Sequence, residues 1–330
     1  MKRILSIAVA IVATITAGAQ NIAVVNSSNT TKIYQTLDDA ITNAEAGSII
    51  YIPGGGYQVT DNAKIDKQLT IMGVSHRGDT DNVDGATIIS GNLNFIEGSS
   101  HSSLIGVYVS GNVNIATSTD PVTNFTMRYC NVNVVNVNNS KSSGMVISQC
   151  YLRGASNFGS CNVKISNCIF PYLQKINGGL VDHCIITSYQ TFGSGNWWCL
   201  YTVSSSTVTN NVFLSTSGGS VLNGNDCYIS HNSVGTAKWS KDEAPIVLPE
   251  GKKFDDVFVA NKGVSIASNY KLSTEWGKKA ALDGTDLGIY GSTGFSDEAL
   301  APIPRIVSKK VAEQTDGSGK LQIEVTVKAQ

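Results

Sequence analysis

Met127-Arg128-Tyr129-Cys130-Asn131-Val132, Ile147-Ser148-Gln149-Cys150-Tyr151-Leu152, Ile165-Ser166-Asn167-Cys168-Ile169-Phe170 and Val181-Asp182-His183-Cys184-Ile185-Ile186 repeat one pattern. Each copy has an apolar residue, two mostly polar ones, a cysteine, any residue, and a second apolar one. Val208-Thr209-Asn210-Asn211-Val212-Phe213 and Ile229-Ser230-His231-Asn232-Ser233-Val234 continue it with asparagine in fourth place. Looser copies stand before these at 71–74 and 104–109. From Cys130 to Asn232 the fourth positions are spaced 20, 18, 16, 27 and 21 residues apart.

A period near twenty with alternating apolar residues describes one turn of a β-solenoid per copy. Stacked strands lie ~4.8 Å apart and side chains alternate across each, so the first and last positions of the copies form two inward apolar columns. The fourth position is expected at a corner, where asparagine tolerates a left-handed bend and pairs with its neighbours above and below. Cysteine there is a small buried filler. Stacked side chains point in parallel, which keeps their Cβ atoms about a strand spacing apart, beyond the ~3.5–4.5 Å that a disulfide prefers. The odd count of seven cysteines agrees with a ladder of free thiols, although an exported chain would ordinarily invite disulfides.

The region before the repeats has the features of an end cap. Thr36 and Asp39 have capping-box spacing. Leu37, Ala40, Ile41 and Ala44 then form one apolar face, which Gly47 ends. A strand at 48–52, a Pro53-Gly54-Gly55-Gly56 turn and Tyr57 follow. A short helix in this place would cover the exposed end of the solenoid, where an open sheet edge invites pairing with other chains.

Tyr34-Gln35-Thr36-Leu37-Asp38-Asp39-Ala40-Ile41 through Ile50-Tyr51-Ile52-Pro53-Gly54-Gly55-Gly56-Tyr57 resembles the N-terminal cap and first coil of the pectate-lyase-like β-helix superfamily. The likeness runs from about 32 to 295 and implies an all-β fold, a right-handed parallel β-helix with a short capping helix. That fold carries lyases, hydrolases, esterases, phage spikes and proteins without activity, so it does not name a function. Asp283-Gly284-Thr285-Asp286-Leu287-Gly288-Ile289-Tyr290-Gly291 resembles the closing segment of secreted β-helix proteins from Bacteroidetes-type bacteria.

The chain divides into a signal peptide at 1–19, a β-helix domain at 20–295 and a linker with a C-terminal strand at 296–330. Lys2 and Arg3, an apolar run at 4–15 and Ala17-Gly18-Ala19 have the layout of a secretory signal. Cleavage near Ala19 would give a secreted, periplasmic or cell-surface protein. No later stretch approaches the ~18 apolar residues of a spanning helix. With 24 basic against 25 acidic residues, nothing in the charge suggests nucleic acid or an anionic membrane as partner. Pro302 and Pro304 stiffen the linker, Gly317-Ser318-Gly319 makes a turn, and 321–327 alternates as a single strand.

Catalysis on such a fold needs charged groups on the outer face: carboxylates holding Ca²⁺ and a base for uronate lyases, paired carboxylates for hydrolases. Between Gly98 and Gly235 the acidic residues are Asp120, Asp182 and Asp226. The outward column reads Arg128, Ser148, Ser166, Asp182, Thr209, Ser230, without a second carboxylate. Val181-Asp182-His183 is similar to the Ile-Asp-His core of a pectate lyase motif, with Leu180 where tryptophan usually stands. Asp182, His183 and Lys164 are therefore the catalytic candidates, weighed against a solvated Asp182 and an inward corner His183. Asp79, Asp81 and Asp84 before Gly85 are candidate ligands for Ca²⁺, weighed against a solvated acidic turn. The scattered Arg128, Lys141, Arg153, Lys164 and Lys175 offer charge to an acidic glycan or simply face water.

Where the repeat lengthens to 27, the chain reads Ser188-Tyr189-Gln190-Thr191-Phe192-Gly193-Ser194-Gly195-Asn196-Trp197-Trp198-Cys199-Leu200-Tyr201. Tyr189, Phe192, Trp197, Trp198 and Tyr201 can present flat rings to sugars, unless they pad the interior. The insertion is expected to leave the stack and to put one tryptophan partly in water beside the column holding Asp182. The leading reading is non-catalytic binding of a polysaccharide or a cell-envelope glycan. A polysaccharide lyase or glycoside hydrolase with an atypical site is the alternative, and a structural spacer in a surface assembly is the third.

Overall fold

The computed structural model describes residues 21–60, 64–77, 85–192, 196–214, 220–296 and 305–328. The segment read as a signal peptide lies outside them. The fold is a parallel β-helix. Each coil contributes a strand to sheet A, then to sheet B, then to sheet C, before the chain returns one level up. Sheet A runs from Ser48–Ile52 to Tyr228–Ser230, sheet B from Gly55–Gln58 to Val212–Phe213, and sheet C from Lys64–Ile65 through Asn196–Ser204 to Ser220–Asn223.

The repeat sets this register. Met127, Ile147, Ile165, Val181, Val208 and Ile229 pair in one column of sheet A. They are buried, as are Val132, Leu152, Phe170, Ile186 and Phe213 in sheet B. These are the two inward columns expected of the first and last positions.

The corner differs from the expectation. The left-handed residue is the third of each copy, not the fourth: φ is 53° at Tyr129, 54° at Gln149, 51° at Asn167, 49° at His183, 61° at Asn210 and 58° at His231. The bend turns the third side chain out of the barrel and leaves the fourth pointing in. Cys130, Cys150, Cys168, Cys184, Asn211 and Asn232 are accordingly fully buried. All seven cysteines are free. In the ladder each thiol donates to the carbonyl two residues before it, at 3.1 Å for Cys130, Cys150 and Cys168 and 3.2 Å for Cys184.

Above the thiols the column becomes a directed chain of amides. The Cys184 N–H donates to Asn211 Oδ1 (2.8 Å), Asn211 Nδ2 donates to Asn232 Oδ1 (2.9 Å), and Asn232 Nδ2 donates to Asp242 Oδ2 (2.8 Å). Asp242 is itself buried.

Both ends of the interior are closed. Helix α1 (Leu37–Asn43) starts at Thr36, whose hydroxyl oxygen accepts from the Asp39 N–H at 3.1 Å. It buries Leu37, Ala40 and Ile41. Strands Ile22–Val25 and Thr31–Tyr34 extend sheet A antiparallel beyond the first coil, so Ser48–Ile52 is not an edge. At the other end Trp239 packs edge-on against Phe213, with ring centroids 5.5 Å apart.

After the last parallel strands the chain folds back over the outside of sheet B. Tyr151, Ile169, Ile185 and Val212, which point outward there, form a second core with Leu248, Phe254, Phe258, Tyr270, Leu287, Ile289 and Phe295. The C-terminal strand is also not single: Arg305–Val311 pairs antiparallel with Ile323–Lys328. Pro302 and Pro304 lie outside the described residues.

Burial pushes the thiols of Cys130, Cys150 and Cys168 well above their ordinary value. It also raises Cys161 to about 11 and Cys199 to about 12. At neutral pH the native protein should therefore be alkylated first at the half-buried Cys227. Denaturant without reductant should release all seven thiols for titration; a bridge among Cys130, Cys150, Cys168 and Cys184 would contradict the register. Asp242→Ala should cost about 1–3 kcal/mol in denaturant unfolding, because it removes the acceptor of the buried Asn232 backbone N–H and one partner of its side-chain amide.

Candidate functional site

Asp182 closes a sheet A strand (Leu180–Asp182), and the left-handed His183 follows it at the corner with sheet B. Asp182 Oδ2 lies 2.9 Å from His183 Nδ1, and Oδ1 accepts from Thr209 Oγ1 (2.7 Å) and Asn210 Nδ2 (2.8 Å). The expectation of a solvated Asp182 is not met, since all of these partners belong to the fold. His183 is buried, though not by facing inward as expected. The segment 281–296 lies across its outer side, and its Nε2 is 3.2 Å from Thr285 Oγ1 and 3.6 Å from Asp283 Oδ1.

The same segment engages the corner column over several coils. Asn210 Oδ1 accepts from the Leu282 N–H (2.7 Å), Asn167 Nδ2 donates to the carbonyls of Ile289 (2.9 Å) and Gly291 (2.8 Å), and Gln149 Oε1 accepts from the Ser296 N–H (2.8 Å). The outward left-handed residues thus form a row of teeth, and the closing segment is strapped to them. Within the strap, the Thr285 hydroxyl donates to Asp283 Oδ1 at 2.6 Å. Partial desolvation acts upward on the Asp283 carboxyl. The hydrogen bonds from the Thr285 hydroxyl and N–H, with His183 alongside, outweigh it and hold the group below its ordinary value.

Lys164 is exposed on the outer face of sheet A and pairs in register with Leu180, not with Asp182. Asp182, His183 and Lys164 are neighbours, but the acid and the imidazole are held in a clasp. Arg153 is held too: it donates to Tyr108 Oη and to the carbonyls of Val109 and Ser110, and stacks over the Tyr108 ring. Asp79, Asp81 and Asp84 lie outside the described residues. Among the described residues no cluster of three or more histidine, cysteine or acidic side chains is placed to hold a metal.

The aromatic insertion stays in the stack. Gln190–Phe192 and Asn196–Ser204 form an antiparallel hairpin, and the second strand is the coil's own member of sheet C, with Leu200 against Leu173 and Tyr201 against Gln174. The extra residues extend a sheet instead of leaving it, because pairing satisfies backbone groups that a loop would leave to water. Trp197 is 44% exposed. Its ring meets Tyr189 edge-on at a centroid distance of 4.7 Å and an interplanar angle of 80°. Continuing the pairing of Gln190 with Trp198 puts Tyr189 opposite Cys199. Tyr189 and Trp197 are therefore diagonal neighbours on one face, and alternation puts Tyr201 on it too. Trp198 is half-buried, and the side chain of Phe192 lies outside the described residues. The rings stand on sheet C and Asp182 at the junction of sheets A and B, with no shared partner. The expected adjacency of the exposed tryptophan and Asp182 is not found.

Sequence reading missed what lies below Tyr201. Asn94, Asn114, Asn136, Asn157, Gln174 and Tyr201 fall in one register on the outer face of sheet C. Asn114 Nδ2 donates to Asn94 Oδ1 (2.8 Å), and Asn136 Nδ2 to Asn114 Oδ1 (3.1 Å). The signal was present as apolar-Asn-apolar triplets, Leu93-Asn94-Phe95, Val113-Asn114-Ile115 and Val135-Asn136-Val137. It lay outside the six-residue pattern that drew attention. No protein-family model matches the chain, and no curated protein matches it.

The clasp has little room to spare. A Cβ on Gly291 would fall 2.2 Å from His183 Cδ2 and 2.0 Å from the Asp286 carbonyl oxygen. Gly291→Ala should lower stability by about 1–3 kcal/mol and open the segment 281–296 to limited proteolysis. Unchanged protection would show that the strap is held elsewhere.

Proposed function

We propose that this chain is an exported β-helix protein of the pectate-lyase-like type. In this reading it binds a polysaccharide or another cell-envelope glycan without cleaving it. The observation that carries the reading is the Tyr189–Trp197 pair, two rings braced edge-on and presented on a β-hairpin, with Trp197 open to water. Leaving a ring this size exposed forgoes a few kcal/mol of burial, and flat aromatic faces are what sugar rings stack on. The hairpin fixes both rings before any ligand arrives, so little ordering is lost on binding.

Two further observations support it. Asp182 and His183, the best catalytic candidates, are committed to hydrogen bonds that tie down the closing segment. Sheet B is covered by the second core, while the outer face of sheet C carries half-buried amides and tyrosine. Export rests on the layout of residues 1–19. No helix among the described residues is long and apolar enough to cross a membrane.

A glycan array with the mature protein tests the reading. With a ligand found there, Trp197→Ala should weaken binding by roughly 1–3 kcal/mol and leave the melting temperature nearly unchanged. Equal affinity in the variant, or a large loss of stability, would reduce the rings to padding. Incubation with pectate, alginate or glycosaminoglycans, with and without Ca²⁺, should yield no unsaturated uronate. Ultraviolet absorbance that grows steadily with the protein and is lost in Asp182→Ala would instead establish a lyase.

A further inference from the structure

We infer that the amide column of sheet C is the binding track, and that it takes a linear, uncharged polysaccharide lying parallel to the axis of the solenoid. This rests on the binding reading above and adds the chemical class and direction of the ligand. Asn94, Asn114, Asn136, Asn157, Gln174 and Tyr201 stand one above another on consecutive coils, each half-buried. Stacked strands repeat at ~4.8 Å, so the column spans roughly 24 Å. That rung spacing is close to the length of one pyranose unit in an extended chain.

The rungs are prepared for hydroxyl groups. An amide has two N–H donors and an oxygen with two lone pairs. The links from Asn114 to Asn94 and from Asn136 to Asn114 use one donor and one lone pair at each junction. They hold the amides in a common orientation and leave Asn114 a second N–H and a second lone pair. A donor beside an acceptor, as at Asn114, suits a sugar hydroxyl, which is both.

The lower rungs also have a wall. Asn94, Asn114, Ala116, Thr117, Ser118 and Asn138 line a groove of about 640 Å³. The turn that bounds it is rigid: Thr117 and Thr119 donate to Asp120 Oδ2, and Asn139 Nδ2 donates to the carbonyls of Thr117 and Ser118. Lys64 is the charged side chain in the lining, too little to pair with a carboxylate on every sugar. A uronate polymer would set repeated charges against amides that neutralise none of them, which argues for a neutral chain. The column passes Tyr201 and goes on to Asn223; Tyr201 stands on the strand that carries Trp197, where a sugar ring can stack.

The test uses the mature protein with cello-, xylo- and manno-oligosaccharides from disaccharide to octasaccharide, and oligogalacturonates of matching length, by titration calorimetry. Affinity for one neutral series should rise with length and level off near the hexasaccharide, and should be insensitive to salt. Asn114→Asp with Asn136→Asp should weaken the hexasaccharide about tenfold and, with two like charges stacked, lower the melting temperature as well. Asn114→Ala with Asn136→Ala serves as the second variant, should the carboxylates perturb the sheet. If Trp197→Ala weakens binding while both amide pairs bind as well as the parent, the track is wrong and the binding reading survives. Salt-sensitive preference for oligogalacturonate also overturns the track alone. Binding of none of these, with a blank array, overturns both.

Discussion

In the six copies of the repeat from Tyr129 to His231 the chain leaves sheet A through a single residue with positive φ, and that one dihedral assigns two side chains at once. Its own side chain goes out and the next one goes in. Holding a non-glycine residue there costs about 1–2 kcal/mol, so the position needs compensation, and both assignments supply it. The inward neighbour enters a dry column where cysteine fits without a cavity or asparagine bridges coils. The outward one meets the closing segment, as Gln149, Asn167, His183 and Asn210 do. Interior and exterior are thus coupled through one bend repeated in each of these six copies.

The inner column also explains its own composition. A thiol is small and finds carbonyl acceptors both on its own coil and on the coil below. Asparagine is different, because each amide that donates upward needs an acceptor above it. The chain from Cys184 through Asn211 to Asn232 therefore has a polarity and has to stop at a group that accepts without donating. The carboxylate of Asp242 is that group, accepting from both the backbone and the side chain of Asn232. A buried carboxylate is expensive without such partners. Asp242 stands in a loop between Lys241 and Glu243, and nothing in its local sequence announces that it terminates a ladder.

Most of the fold was legible because the repeat encodes it locally. A period near twenty fixes the coil, alternation fixes the inward columns, and Thr36 with Asp39 marks the start of the capping helix. The features that were not legible depend on contacts distant in sequence. Whether the third or the fourth residue takes the bend cannot be decided from polar residues that suit either place. The strap on His183 joins residues about a hundred positions apart, and the covering of sheet B shows in Tyr151, Ile169 and Ile185 only as further apolar residues. The aromatic segment was recognised, but its hairpin depends on a register that periodicity does not specify. The amide column is written in the sequence, but an asparagine between two apolar residues looks like any outward position on a strand.

The division of labour among the three outer faces follows from where the chain goes after its last coil. Residues 244–296 have to bury Leu248, Phe254, Phe258 and Tyr270 somewhere, and sheet B offers them an apolar outer face. The path of the strap then runs along the junction of sheets A and B, over the corner residues, and consumes Asp182 and His183 as anchors. Sheet C lies away from that path, and there the outward residues are amides and a tyrosine in place of the isoleucines of sheet B. Amides are inexpensive to leave in water and lose little when a hydroxyl-bearing ligand replaces that water. An apolar column in the same place would be an aggregation hazard on a stacked sheet. The chemistry of sheet C suits a face in contact with water, and Trp197, exposed beside Tyr189 and Tyr201, is set there at a cost in water that a sugar ring would repay.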